Sequence, residues 1–308
     1  MKILFDYIVF PGFLFTAVVG CVVSWIDRKV TARVQWRMGP PVLQPFYDLV
    51  KLTGKETVIP GKGNRTVFLI TPMIAMAAVA LVSTLLWRVI ISPRTTFVGD
   101  LVVVVYLLTI PSIALIVSGA ASSNPLASLG ASREMKLILG YELPFILAIF
   151  VPVIKSAGSI RLGELLLWQW NNGMILGSLS GFLAFIVAIL CMQAKLGLTP
   201  FDMAEAETEI IAGPFIEYSG TPLALYKLGR WMMLFVLPVF LVVLFMGGIM
   251  FSSWHTLWGI LKYVLLLVLI VLIRNTNPRV RIDQAVRFFW GPVTAVAVVA
   301  VILAFVGL

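Results

Sequence analysis

The sequence predicts an all-α integral membrane protein with about eight transmembrane helices and further amphipathic helices at the membrane surface. Of its 308 residues, 60% are hydrophobic and only 12% are charged, and the mean hydropathy is +1.04. A water-soluble chain of this length could not bury so much apolar surface, and this composition is typical of membrane proteins. Apolar stretches long enough to span a bilayer, about 20 residues each, recur along the whole chain. The chain is therefore predicted to form one polytopic membrane domain, residues 1–308.

Eight stretches are long and apolar enough to be spans, and they leave no room for an independent soluble domain. They cover residues 7–26, 67–91, 98–120, 136–155, 174–195, 221–250, 255–274 and 285–307. Two further segments, 43–52 and 162–170, are expected to lie flat at the membrane interface. In the first of them Phe46, Leu49 and Val50 share one helical face.

The distribution of Lys and Arg sets the predicted orientation. The loops after the odd-numbered spans, with the span ends beside them, hold fifteen of the 23 basic residues, and the opposite loops and span ends hold five. Because cytoplasmic loops carry an excess of Lys and Arg, the first set is predicted to be cytoplasmic and both termini to face outward. The net charge of +9 is thus explained by membrane topology. No basic patch interleaved with aromatic residues indicates a nucleic-acid partner.

The sequence offers few groups for redox or metal chemistry. The two cysteines, Cys21 and Cys191, are far apart, and an iron–sulfur cluster needs about four thiolates. His255 is the only histidine, so haem ligation by two histidines is excluded. No phosphate-binding glycine loop is present. We therefore expect no catalytic residue, metal or cofactor in this chain itself.

Five of the fourteen carboxylates fall in one segment between two apolar stretches, with no Lys or Arg between Lys195 and Lys227. They are Asp202, Glu205, Glu207, Glu209 and Glu217. A helix of about three turns is predicted from Pro200 to Gly213, with the first, second and fourth of these on one face. Ionisable groups at membrane depth usually mark an ion or proton pathway. A solvated acidic loop is the alternative, but the interleaved apolar side chains favour burial.

The fourth span and the residues that lead into it carry two more carboxylates. Ser132 is the expected N-cap, and Glu134 is expected near the interface, in contact with solvent. Glu142 lies eight residues further on, about 12 Å deeper in the membrane. It is interpreted as a pathway group, and the alternative is a structural carboxyl bonded to helix backbone or to Tyr141. Pro144 should kink this helix.

Basic residues dominate two of the predicted cytoplasmic loops. Lys29, Arg33 and Arg37 repeat every four residues and would line one face if the first helix continues past the membrane, until Gly39 ends it. They could anchor the helix at its depth or bind an acidic partner or an anionic head group. The short loop after the seventh span is also basic, with Arg279 and Arg281.

Taken together, these loops resemble the family of the respiratory complex I membrane subunit, called H, that joins the hydrophilic arm to the membrane arm. The matches run in order over about residues 25–290. They are Asp27-Arg28-Lys29 with Ala32-Arg33, Gln35, Arg37 and Gly39-Pro40; Leu43-Gln44-Pro45 with Asp48, Lys51-Leu52 and Lys55-Glu56; Tyr141-Glu142; Pro200-Phe201-Asp202 with Glu205-Ala206-Glu207; Glu217-Tyr218-Ser219; and Pro278-Arg279-Val280-Arg281-Ile282-Asp283-Gln284.

One departure bears on the subtype. Complex I members carry a longer glycine-containing stretch between the Gly-Pro and Leu-Gln-Pro motifs, whereas here Val42 leads directly into Leu43. The shortened form is more similar to the membrane-anchor subunit of energy-converting, membrane-bound nickel–iron hydrogenases and related archaeal sulfane reductase complexes. In complex I the stretch borders the quinone chamber, so its loss argues against a quinone site.

The resemblance implies a non-catalytic, non-redox subunit in the cytoplasmic membrane. It would anchor hydrogenase-like large and small subunits and an iron–sulfur subunit, beside antiporter-like membrane subunits. Iron–sulfur clusters and, in a hydrogenase, a nickel–iron centre would belong to those partners. The coupling and proton-pathway residues implied are Asp202, Glu205, Glu207, Glu209, Glu217, Glu134, Tyr141 and Glu142. The residues facing the peripheral arm would be Arg28, Arg33, Arg37, Arg279 and Arg281, with Asp283 as their local partner.

Three other interpretations remain open at the level of sequence. The chain could be the equivalent subunit of a sulfane reductase or of a quinone-reducing complex I-like enzyme. A stand-alone carrier should contain inverted repeats, and no internal repeat is detectable. A purely structural anchor would tolerate alanine at the carboxylates.

Overall fold

The computed structural model describes residues 2–251 and 253–308, without the side chains of Lys2, Ile3, Glu207 and Ser253. All the regular secondary structure of these residues is helical, and they form no strand. The helices are α1 (Lys2–Ile8), α2 (Phe13–Val34), α3 (Gln44–Thr53), α4 (Arg65–Ile91), α5 (Asp100–Leu107), α6 (Ile110–Ala121), α7 (Pro125–Lys155), α8 (Leu162–Asn172), α9 (Leu179–Lys195), α10 (Glu207–Ile210), α11 (Gly220–Phe245), α12 (Ser253–Thr276), α13 (Ile282–Phe288) and α14 (Thr294–Val306). A π-helical turn, Phe289–Val293, joins α13 to α14.

Seven helical segments of the described chain are long and apolar enough to cross a membrane, and each corresponds to a predicted span. The chain is therefore a multi-pass membrane protein, as the sequence predicts. The remaining predicted span, 174–195, contains the shorter apolar helix α9, of 17 residues. It begins late because residues Ile175–Gly177 form a tight turn, after which the Ser178 hydroxyl accepts a hydrogen bond from the Gly181 amide. The outward orientation of the termini remains a prediction.

Helix α11 forms the centre of the bundle. Most of its apolar length is buried, because it packs against α2 and α4 on one side and against α9 and α12 on others. Helix α7 makes a second centre, with α6, α9 and α14 around it. By contrast, α12 and α14 bury only a small part of their apolar surface. Those outward faces are suited to lipid or to neighbouring membrane subunits.

Both predicted interfacial helices are present, as α3 and α8. Helix α3 is tied to α2 by an ion pair between Arg28 Nη1 and Asp48 Oδ2, 2.7 Å apart. Helix α8 is fixed by Gln169, whose side-chain nitrogen donates to the carbonyls of Val243 and Leu244 at the end of α11. A buried carboxylate, Asp100, accepts from the backbone nitrogen of the first α8 residue. These short helices are therefore held by specific polar contacts as well as by their apolar faces.

The first spanning helix ends earlier than predicted. It stops at Val34, and Trp36 then adopts a positive φ of 58° that reverses the chain. The Arg37 amide donates to the Ala32 carbonyl, which closes the helix end. The expected stripe of three basic residues up to Gly39 is therefore wrong, since Arg37 lies beyond the helix.

The fourth predicted span begins earlier than expected. Helix α7 starts at Pro125, and the Asn124 side chain caps it by accepting from the Leu126 amide at 2.9 Å. Ser132 lies inside the helix, so its expected role as N-cap is wrong. The early start gives α7 two additional turns, which support the acidic segment described below.

Candidate functional site

The acidic segment is not the three-turn helix that its spacing predicts. It contains a tight turn at Met203–Glu205, the four-residue helix α10, and a second tight turn at Gly213–Phe215. Positive φ angles of 63° at Ile211 and 51° at Gly213 interrupt helical continuation. Asp202, Glu205 and Glu209 therefore do not share one face.

The segment instead lies against the beginning of α7. A Cβ atom on Gly130 would be 2.6 Å from Pro214 Cδ and 2.8 Å from the Ala204 carbonyl oxygen. Glycine is required here because the two backbones approach so closely. At the other edge of the segment, the Pro200 carbonyl oxygen accepts a hydrogen bond from the Val280 amide, with 3.1 Å between nitrogen and oxygen. The apolar residues of the segment are largely buried, so its interpretation as a solvated loop is wrong.

Three of the five carboxylates have an arginine partner from elsewhere in the chain. Asp202 accepts two hydrogen bonds from one guanidinium, at 2.8 and 2.6 Å, and Glu205 is 2.5 Å from another. The pairs are Asp202–Arg279, Glu205–Arg230 and Glu209–Arg133. The expectation of a cluster without neutralising charges is therefore wrong for these three. Each arginine is remote in sequence, which is why spacing along the chain could not reveal it.

The end of the acidic segment is fixed to the start of α7 and to α4. Glu217 accepts a hydrogen bond from the side chain of Asn124, the residue that caps α7. The Tyr218 ring stacks on Phe68 at 4.0 Å, and its hydroxyl donates to the Phe68 carbonyl. Burial raises the pKa of Tyr218, so the phenol stays neutral. The side chain of Glu207 lies outside the described part of the chain.

Behind the segment lies a cavity of about 60 Å³ between α4, α6, α7, α9 and α11. Four charged side chains line it, together with the Ser112 hydroxyl: Glu134, Lys195, Glu205 and Arg230. At roughly 10–15 Å³ per water, there is room for a few water molecules. Glu134 is only 5% exposed, so its expected contact with solvent at the interface is wrong. Of the four charged residues, Glu134 and Lys195 are buried, and buried charges in a hydratable cavity are the usual components of a proton path.

Glu142 lies on the same helix, outside the cavity lining. Its carboxylate pairs with Lys195, with Nζ and Oε2 3.1 Å apart. The side chain of Glu142 is 22% exposed, whereas that of the lysine is completely buried. The neighbouring Tyr141 is fully buried, and its hydroxyl has no hydrogen-bond partner within the described residues. The structure thus brings together all three predicted pathway residues of α7, with Glu134 two turns before Glu142.

A second space, a cleft of about 310 Å³, opens between α2, α11 and α12. Asp27 is buried in its wall and accepts from Arg274 Nη1 at 2.8 Å, while its second oxygen has no partner within the described chain. Arg28 lies over the Trp231 ring at 5.4 Å and also lines the cleft. Arg230 lines both the cleft and the cavity. Leu196 also lines both spaces, so Arg230, with its partner Glu205, forms part of the wall between them.

The predicted docking residues divide into two groups. Arg28 and Arg279 bind carboxylates of this chain, Asp48 and Asp202. Arg281 and Asp283 are exposed along a groove beside the Arg279–Asp202 pair. The role of Asp283 as a local partner of the arginines stays a prediction.

The second group lies at the tip after α2. Arg33 and Arg37 are exposed there and form no ion pair within the described residues. Trp36 and Met38, between and beside them, are 97% and 98% exposed. An exposed tryptophan flanked by arginines is a typical anchor of a protein interface.

Four charged residues of the site were missed from sequence: Asp27, Lys195, Arg230 and Arg274. Two of them, Lys195 and Arg230, lie within or at the end of apolar helices. Charged residues in apolar stretches are costly and usually have a function. The positions of Lys195 and Arg230 could therefore have marked them as site residues from the sequence alone. Their partners are far away in sequence, which left the pairing invisible.

The fold and site define a polytopic membrane subunit with a buried charge network and an exposed basic tip. A family model described as NADH dehydrogenase matches residues 7–305. The chain belongs to this family, as a membrane subunit of the H type. Within the described residues, no group of three or more His, Cys, Asp or Glu side chains could hold a metal ion.

Relatives and a solved structure agree with this assignment. The H subunit of the NADH-quinone oxidoreductase of Ehrlichia ruminantium (strain Gardel) is 33% identical over 292 residues, covering 86% of this chain and 79% of that protein. The H subunit from Anoxybacillus flavithermus is 33% identical over 293 residues, covering 89% and 84%. A chain in the structure of the membrane-bound sulfane sulfur reductase, an archaeal respiratory membrane complex, superimposes with a TM-score of 0.88 at 28% identity. That match covers 99% of this chain and 100% of the other.

Proposed function

We propose that this chain is the anchoring and coupling subunit of a membrane-bound respiratory complex of the hydrogenase type. It holds the peripheral redox arm at its basic face and passes the effect of electron transfer to ion translocation in the membrane. The equivalent role in a sulfane reductase or a quinone-reducing complex is the alternative. The chain sits in the cytoplasmic membrane, and its partners hold the iron–sulfur clusters and the catalytic centre.

One observation carries this proposal: the charged residues form a continuous series from the cleft to the side of the molecule. The cleft holds Asp27 and Arg274, and Arg230 with Glu205 forms part of the wall between it and the cavity. The cavity holds Glu134, and the series then reaches Glu142 on the outer side of α7. A purely structural anchor has no need of so many buried charges, since replacing buried ion pairs by apolar residues is often neutral or stabilising.

The coupling step is electrostatic. Electron transfer in the peripheral arm changes the charge near the cleft. This change alters the electrostatic interaction between Arg230 and Glu205. About 1.4 kcal/mol of differential interaction changes a proton equilibrium tenfold. Small shifts of this kind at a few carboxylates are sufficient to load a proton into the cavity and release it toward Glu142. Neighbouring membrane subunits would then receive it.

The test is Glu142→Gln in the intact complex, in inside-out membrane vesicles. Electron transfer is driven by dithionite-reduced methyl viologen and followed as hydrogen evolution or as reduction of an organic trisulfide. Ion uptake is followed by a pH-sensitive dye and by radioactive sodium. We expect uptake to be lost while electron transfer continues. Glu164→Gln, an exposed carboxylate on α8, is the matched control. Normal uptake in Glu142→Gln would contradict the proposal.

The acceptor is tested separately, by measuring nickel, iron and bound quinone in the complex purified in mild detergent. Nickel with abundant iron supports the hydrogenase type. Iron without nickel moves the proposal to the sulfane reductase type. Bound quinone supports the alternative suggested by the names of the sequence relatives, and the cleft of about 310 Å³ would be the space available to it.

A further inference from the structure

Among the charged side chains that the structure describes, the fully buried Lys195 both lines the cavity and pairs with Glu142. It is the last residue of α9, and the exposed fraction of its side chain is 0%. A buried ammonium group is costly, and it persists only where nearby groups compensate its charge. Here the compensation comes from one carboxylate and two aromatic rings. Such an expensive arrangement is a candidate for function.

The ammonium group is held on three sides by α7. Glu142 Oε2 is 3.1 Å from Nζ, and the ring centroids of Tyr141 and Phe145 are 5.2 and 5.1 Å away. Cations lie favourably over aromatic faces at such distances. The rings leave the ammonium group no strong hydrogen-bond acceptor apart from Glu142 within the described residues.

The fourth side of Lys195 faces the cavity. Lys195 is among the residues that line it, together with Glu134, Glu205 and Arg230, whereas Glu142 is not. Lys195 is therefore the group that touches both the cavity and Glu142. Lys195 thus connects the cavity carboxylates to Glu142, whose side chain is partly exposed.

Resting on the proposed coupling function, we propose that Lys195 relays the proton from the cavity to Glu142. In the forward step, an N–H bond of the ammonium group breaks and an O–H bond forms on Glu142, leaving a neutral amine and a neutral carboxylic acid. Glu142 then releases its proton at the outer side of α7. The amine takes a new proton from a protonated carboxylic acid that lines the cavity, which becomes a carboxylate, and the amine is an ammonium group again.

The relay depends on a side chain that can lose its proton, and this distinguishes it from a structural ion pair. Lysine releases a proton readily when buried, whereas arginine remains charged in proteins. The other titratable groups around Lys195 are Glu142, Glu134 and Tyr141 on α7, Cys191 on α9, and Glu205 and Arg230 across the cavity.

The experiment compares Lys195→Arg with Lys195→His in the intact complex in inside-out vesicles. We expect Lys195→Arg to assemble and transfer electrons from reduced methyl viologen, while ion uptake per electron falls by about tenfold or more, because arginine keeps its proton. Lys195→His restores a titratable group, so uptake should partly return with an altered pH profile. Assembly of each variant is checked by native electrophoresis.

Ion uptake in Lys195→Arg equal to that of the parent, over the whole pH profile, would overturn the relay and leave Lys195 as a structural partner. Uptake absent from both assembled variants would also overturn it, since the titratable histidine should serve. The Glu142→Gln complex distinguishes a failure of the relay from a failure of the proposed coupling function. If Glu142→Gln loses uptake while Lys195→Arg keeps it, only the relay fails; if both keep it, the coupling function fails as well. Should Lys195→Arg not assemble, Lys195→His carries the test, and an unaltered pH profile would count against the relay.

Discussion

Arg230 Nη1 lies 2.5 Å from Glu205 Oε2, and this ion pair forms part of the wall between the cleft and the cavity. One partner comes from the central helix α11 and the other from the acidic segment. The pair therefore joins the deeply buried helix α11 to the irregular acidic segment.

The first prediction concerns this pair. In Arg230→Met, Glu205 loses its ion-pair partner at the cavity, so ion uptake per electron should fall by about tenfold, since the charge series is interrupted at this carboxylate. Electron transfer should remain within about twofold of the parent, since no cofactor contact is removed. Arg94→Met, an exposed arginine of another loop, is the control. Equal loss of electron transfer and uptake would show that the pair serves assembly instead.

The second prediction concerns the packing of the acidic segment on α7. Gly130→Ala places a methyl group where Pro214 and the Ala204 carbonyl already lie. Overpacking of this kind costs about 1–3 kcal/mol, so the melting temperature of the complex in detergent should fall. Gly61→Ala is the matched control, because a methyl group there has no atom within 4 Å. A melting temperature unchanged in both variants would contradict the close contact.

The third prediction is a pH dependence at α3. Burial of Asp48 works toward a higher pKa, but hydrogen bonds from Arg28 and Gln44 and the charges of Arg28 and Lys227 outweigh it, so its pKa is lowered. The Arg28–Asp48 contact therefore stabilises the fold fully above the ordinary aspartate pKa of about 3.9. This stabilisation is lost as pH falls through the lower pKa of the folded state.

The melting temperature of Asp48→Asn, compared with that of the parent across this acidic range, measures the effect. The difference between the two proteins should be constant near neutral pH and should shrink below pH about 3.9. Because the pair is about one-third exposed, the effect should also be small and weakened by salt. A difference that grows as the pH falls would contradict the lowered pKa.

The fourth prediction concerns the tip after α2. Arg33→Glu combined with Arg37→Glu reverses two exposed charges that have no ion-pair partner within the described residues. The peripheral arm should dissociate from membranes at a lower salt concentration, since exposed charge pairs are screened by ions. Trp36→Ala should weaken the same attachment by removing an apolar anchor. Retention of the arm in both variants would show that it is held elsewhere.

Sequence reasoning found the membrane fold because each span is a long apolar run, which is a local property. It also found α3 and α8, whose apolar faces repeat with the helical period. A helix was predicted for the acidic segment because the spacing of Asp202 and Glu209 fits one. The contacts with α7 that override this local propensity are not visible in the sequence. Sequence reasoning placed Glu142 within the fourth span and Glu134 just before it, and it did not predict the burial of Glu134.

The ion pairs were beyond the reach of sequence patterns. Arg133, Arg230 and Arg279 come from three different parts of the chain and meet the acidic segment only through the packing of α7, α11 and the loop before α13. From sequence, Arg133 contributed only to the predicted topology, Arg230 fell inside a span, and Arg279 was predicted to face the peripheral arm. What the sequence did contain was the unusual cost of Arg230 and Lys195 in apolar helices.

The most direct test of the central claim is the number of ions taken up per electron in Glu205→Gln vesicles. The substitution keeps the size and hydrogen-bonding ability of the side chain but removes its charge at the wall between cleft and cavity. Coupling through the charge series predicts that electron transfer continues while uptake per electron falls to the level of vesicles without the complex. A ratio equal to that of the parent complex would contradict it.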